Sequence, residues 1–92
     1  MSKRDYNDPL YAEWRRRVFS RDKRRCQMPG CRRRTRLNAH HIQRWADQPF
    51  LRYEPDNGIT LCWACHRDVT NNERAYEGLF LEIVRNNGKK GN

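Results

Sequence analysis

CQMPGCRRRTRLNAHHIQRWADQPFLRYEPDNGITLCWACH, residues 26 to 66, holds all four cysteines and all three histidines of a 92-residue chain. The cysteines fall in two short pairs, Cys26-x4-Cys31 and Cys62-x2-Cys65, with thirty residues between the pairs. Two close pairs far apart in sequence suit a tetrahedral zinc site, each pair supplying one edge of the tetrahedron. Pro29 and Gly30 sit inside the first pair, where a tight turn needs them. Disulfides, or a zinc site that borrows a histidine, are the other readings of the same residues. Four thiolates close the coordination shell, so a zinc held by Cys26, Cys31, Cys62 and Cys65 is structural and does no chemistry.

The rest of the composition explains why such a staple is needed. Hydrophobic residues make up 36% of the chain, charged residues 34%, and the mean hydropathy is -1.24. A single domain of this size with so few apolar residues buries a thin core, and a metal is one of the few ways to supplement it. The longest apolar run falls far short of the roughly 18 residues that span a membrane. Met1-Ser2-Lys3-Arg4-Asp5 leads into polar sequence rather than a signal peptide. The expectation is therefore a cytoplasmic protein without a membrane partner, in a reducing compartment where paired cysteines hold metal more often than they form disulfides.

Outward from the cysteines, the elements predict an α+β fold in one domain, residues 1–92, flanked by a helix at each end. Residues 1–7 read as a tail. Asp8-Pro9 offers an N-cap followed by proline in the first turn, opening a helix within residues 8–22 whose apolar stripe is Leu10, Tyr11, Trp14 and Val18. Between the cysteine pairs, Leu37 to Ile42 and Ile59 to Cys62 read as two short strands, residues 43–56 as a loop, and Asn57-Gly58 as a tight-turn signal. Thr70-x-x-Glu73 fits a capping box for a last helix over residues 73–87, with Tyr76, Leu79, Phe80, Ile83 and Val84 on its apolar face and Gly88 beyond its end.

Charge narrows the partner. Lys and Arg number 20 against 11 acids, a formal charge of +9. From Arg15 to Arg36 there are eleven basic residues and one acid, Asp22. A local field of that kind suits a phosphate backbone, whose neutralisation releases counterions. Arg32, Arg33, Arg34 and Arg36 are the candidates to grip DNA phosphates, a contact that positions a duplex without reading its sequence.

The ordered string Ala39-His40-His41-Ile42, Asn57-Gly58-Ile59-Thr60-Leu61-Cys62 and Cys65-His66 resembles the HNH endonuclease family, and Trp14, Arg17, Val18, Arg21-Asp22 and Cys26 resemble the lead-in of its small phage-type members with a cysteine zinc cage. The resemblance covers roughly residues 11 to 72. It implies a ββα-metal finger within residues 26–72, with His40 the first metal ligand, His41 the general base, Asn57 the residue that orders the hairpin loop, and His66 the last metal ligand. Adjacent residues on a strand face opposite ways, so His40 and His41 are expected to do different work, one on metal and one toward water. An imidazole, with a reference pKa near 6.5, can take a proton from an attacking water.

What the resemblance implies is a metal-dependent DNA endonuclease, nicking or cutting to leave 5′-phosphate and 3′-hydroxyl ends, acting as a monomer. It implies a place in phage DNA packaging beside the terminase large subunit, in the host cell cytoplasm. Thr70 stands where some relatives carry another histidine, so the catalytic metal has few protein ligands, which favours Mg²⁺ or Mn²⁺ over Ni²⁺ or Zn²⁺. The rival reading is a zinc-ribbon nucleic-acid-binding module without cleavage activity.

Overall fold

The computed structural model describes residues 8–43 and 49–90; the expected tail, residues 1–7, lies outside them. In chain order the elements are α1 (Pro9–Arg21), β1 (Leu37–His41), β2 (Gly58–Cys62), α2 (Trp63–Val69) and α3 (Glu73–Lys90), with short 3-10 turns at Pro49–Leu51 and Pro55–Asn57. β1 and β2 form a two-stranded antiparallel sheet in the register Leu37↔Cys62, Ala39↔Thr60, His40↔Ile59 and His41↔Gly58. This is a small α+β fold. No helix among the described residues is long and apolar enough to cross a membrane.

α1 starts where its sequence says. The Asp8 side chain accepts the Leu10 N–H at 2.9 Å and the Tyr53 hydroxyl at 2.7 Å, and the two bonds, Tyr53 foremost, hold the Asp8 carboxyl below its usual pKa. Its buried stripe is Trp14, Val18 and Phe19, while Leu10 stays largely exposed. The helix closes on Asp22, and Lys23 and Arg24 follow with φ of 57° and 53°. Those left-handed residues turn the chain back so that Arg24 N–H reaches the Phe19 carbonyl at 2.8 Å.

The core gathers around β2, which is buried along its whole length. Ile42, Ile59, Leu61, Val69, Phe80 and Val84 pack with Cys26 and Cys62. On α3 the buried residues are Phe80 and Val84, and Leu81 packs against the same cluster, whereas Leu79 remains 43% exposed. The helix also continues through Gly88 to Lys90.

Two local expectations are corrected. Thr70 does not cap α3; it closes α2, its N–H and hydroxyl both donating to the His66 carbonyl, at 3.0 and 2.8 Å. The chain then passes through Asn71 at φ 74° before α3 opens at Glu73. Nor does Asn57-Gly58 form a two-residue hairpin turn. Asn57 ends a 3-10 turn and Gly58, at φ -127° and ψ 147°, is the first residue of β2, so a glycine is not needed there for its backbone angles. It is needed for room: a Cβ at Gly58 would lie 2.5 Å from Val18 Cγ2 and 2.6 Å from Trp14 Cζ2.

Gly58→Ala is therefore expected to cost about 1–3 kcal/mol by overpacking. Gly78, exposed in α3 with nothing within 4 Å of an added Cβ, is the control. Gly78→Ala should stabilise by up to about 1 kcal/mol, because glycine is a poor helix former. Urea unfolding of both variants checks the pair, and equal, small effects would contradict the close approach of α1.

Candidate active site and metal centre

The sulfurs of Cys26, Cys31, Cys62 and Cys65 all lie within 4.8 Å of one another, and none is in a disulfide. Cys31 and Cys62 sulfurs are 3.9 Å apart. A disulfide needs about 2.05 Å. Four sulfurs about 2.3 Å from one zinc, at tetrahedral angles, stand about 3.8 Å from each other. The spacing fits a structural zinc better than disulfide pairing.

Backbone bonds bring the pairs together. Gly30, at φ 86°, turns the first knuckle, and Cys31 N–H returns to the Met28 carbonyl at 2.9 Å. Gln27 N–H bonds the Thr60 carbonyl at 2.9 Å, docking that knuckle beside β2, which ends in Cys62. Burial pushes Cys26 and Cys65 up, whereas Cys62, despite burial, falls to about 7 because the Cys65 N–H and the neighbouring thiols donate to it. Sulfurs this crowded ionise one at a time unless a cation sits among them.

The histidines divide between the two faces of β1. His40 lies edge-on to His66, ring centroids 5.4 Å apart at 75°, and edge-on to Phe80 at 5.9 Å. His66 projects from α2, one residue after Cys65, so consecutive positions about 100° apart serve the sulfur cluster and the His40 face. His41 lies on the other face. Its ring stacks on Trp14, centroids 4.0 Å apart and 8° from parallel, and its Nε2 is 2.8 Å from the Arg52 carbonyl oxygen. At 5% exposure it is as buried as His40, where strand alternation alone led one to expect water.

Asn57 ties the loop between the strands. Its Oδ1 accepts Gln43 N–H at 2.8 Å, and its Nδ2 donates to the carbonyls of Gln43 at 3.1 Å and Leu51 at 3.2 Å. The Asn57 carbonyl in turn accepts Ile42 N–H at 2.9 Å. One buried side chain therefore holds both sides of the stretch that follows His41 and carries the Arg52 carbonyl.

Arg32, Arg33, Arg34 and Arg36 are exposed, and among the described residues none of the four has an ion-pair partner. Arg34 reaches the Lys23 carbonyl at 3.4 Å. Their main chain is pinned: the Arg33 carbonyl accepts Cys26 N–H and the Arg36 carbonyl accepts Trp63 N–H, both at 2.8 Å. Glu13 pairs with Arg16 and Arg17, and the Glu54 carbonyl receives Trp14 Nε1 at 2.9 Å.

Sequence reading missed the work of Arg21 and Asp22. The Asp22 carboxylate, fully buried, receives Arg21 Nε and Nη2 at 2.9 Å, Thr60 N–H at 2.9 Å and Asn87 Nδ2 at 3.0 Å. Arg21 also donates to the Pro55 and Gly58 carbonyls, each at 2.6 Å. One ion pair joins α1, the loop, β2 and α3. The signals were a lone acid among eleven basic residues and the place of Arg21-Asp22 in the family-like lead-in.

The family model described as HNH endonuclease matches residues 24–72, just over half of the chain. No curated protein and no solved structure matches it.

Removal of zinc is expected to unfold the protein. Structural zinc supplies about 10–16 kcal/mol in small zinc-binding peptides, more than the roughly 3–5 kcal/mol a core of this size provides. Chelation of the purified protein should abolish its cooperative melting transition, and added zinc should restore it. A transition that survives complete zinc removal would show that the sulfurs do not carry the fold.

Proposed function

The chain belongs to the HNH endonuclease family, and on that premise we propose that it is a metal-dependent DNA endonuclease whose general base is His41 and whose divalent cation is held by His40 and His66. The observation that carries this reading is the separation of the three imidazoles: two rings meet at 5.4 Å while the third is held on the opposite strand face by a carbonyl. A carbonyl oxygen only accepts, so His41 Nε2 carries the proton and Nδ1 keeps its lone pair. Nδ1 then takes a proton from water, the hydroxide attacks phosphorus, and the P–O3′ bond breaks to leave 5′-phosphate and 3′-hydroxyl ends. Trp14 and Asn57 keep the ring and the Arg52 carbonyl in register for that transfer.

His40 and His66 offer two nitrogen donors, and a metal held by two imidazoles takes water and phosphate oxygens in the rest of its shell. When bound there, Mg²⁺ or Mn²⁺, ahead of Ni²⁺ or Zn²⁺, would supply charge neutralisation at the phosphate and its leaving oxygen. Arg32, Arg33, Arg34 and Arg36 grip the flanking phosphates. The phage-type lead-in supports a monomer working beside the terminase large subunit in phage DNA packaging, within the host cell cytoplasm.

Purified protein given Mg²⁺ or Mn²⁺ should nick supercoiled plasmid. His41→Ala should lower the rate roughly 100-fold or more while DNA binding persists, as expected for loss of a general base. His66→Ala should lose the response to added divalent metal and keep the zinc of the cysteine cluster. Equal nicking by His41→Ala would remove that residue as base, and a wild-type protein inert with every divalent metal would favour the binding module.

A further inference from the structure

Trp63 is the first residue of α2 and is 51% exposed. Cys62 and Cys65 of the sulfur cluster flank it in sequence, and its N–H is bonded to the Arg36 carbonyl at 2.8 Å. The Arg67 guanidinium lies over its ring at 4.7 Å, one turn along the helix. Arg67 is itself exposed, and its ion-pair partner among the described residues is the equally exposed Asp68, at 4.0 Å. The ring is thus half exposed to solvent on a fixed mount, where its apolar surface is available to a ligand.

Its neighbourhood indicates what does. His66 and Arg67 follow Trp63 by three and four residues, about 60° and 40° round the helix, so they share its side of α2. The bond to Arg36 brings the exposed arginine run up against the same helix end. An exposed aromatic ring with the Arg67 guanidinium beside it and a run of exposed arginines at its helix end suits a nucleobase for the ring and its phosphates for the charges. A paired base offers no face, because its neighbours cover both sides.

We propose that Trp63 is a stacking platform for an unpaired base of the DNA strand, placed one helical turn from His66. This deepens the cleavage reading and rests on it: the strand addressed is single or locally opened, as at a nick, a flap, a melted end or a stretch opened by negative supercoiling, rather than relaxed duplex. Trp63 takes the base, Arg67 and Arg36 the adjoining phosphates, and the next phosphate lies toward His66.

Binding of labelled oligo-dT and of a hairpin duplex to the intact, zinc-loaded protein, without added Mg²⁺ or Mn²⁺, tests this apart from cleavage. Trp63→Ala should weaken oligo-dT binding roughly tenfold and duplex binding less than about twofold, while Trp63→Phe stays within about threefold of wild type on both. Because the ring is exposed, the melting temperature of both variants should match wild type. Unchanged oligo-dT binding by Trp63→Ala, or equal losses on the two probes, would overturn the platform, and a larger loss on oligo-rU than on oligo-dT would overturn its assignment to DNA. If this pattern holds while wild type nicks no plasmid, the cleavage reading fails and the platform stands.

Discussion

Everything in this protein hangs on four sulfurs brought within 4.8 Å of one another from two ends of a forty-residue stretch. A lone two-stranded hairpin is marginal in water, so this one depends on the helices packed against it and on the cluster at its end. The sulfur cluster closes the end of the hairpin at Leu37↔Cys62, fixes the start of α2, and so sets His66 at a defined distance from the strand that carries His40. On the proposed reading, a zinc at the cysteines and a catalytic cation at His40 and His66 would be separate centres on one scaffold.

The second constraint is the close approach of α1 to β2. Gly58 leaves the space, Trp14 and Val18 fill it, and Trp14 then lies flat against His41. The same tryptophan is anchored through Nε1 to the Glu54 carbonyl, so the ring is held at both ends of the loop contact. Arg21 and Asp22 lock this arrangement from the other end of α1. Removing one partner of so buried a pair strands the other charge, which is far costlier than losing a surface bridge such as Arg16 with Glu13.

Much of this was legible in the residues because it depends on covalent spacing. Two cysteine pairs, an Asp-Pro helix start and short apolar strands act locally, and each appears close to where spacing puts it. The family resemblance to the HNH endonucleases is likewise carried by an ordered string of residues, and a family match over residues 24–72 bears it out. What stayed hidden is tertiary. Gly58 read as a turn residue because its neighbour is asparagine, whereas only the packing of α1 shows that it makes space. Thr70 read as a cap for α3 because Glu73 follows it, but α2 needed a terminus first. Leu10 and Leu79 fit helical stripes on paper and face solvent, because Phe19 and Leu81 lie nearer the core. No periodicity announces that Arg52 offers its carbonyl to His41 or that Asp22 is buried.

The claim on which the rest stands is that the cysteines make one zinc centre with no open position. Zinc-edge X-ray absorption on the purified protein tests it most directly. One zinc per chain surrounded by four sulfurs at about 2.3 Å is the predicted result. A shell containing nitrogen or oxygen, or a protein free of zinc with its cysteines paired as disulfides, would contradict it.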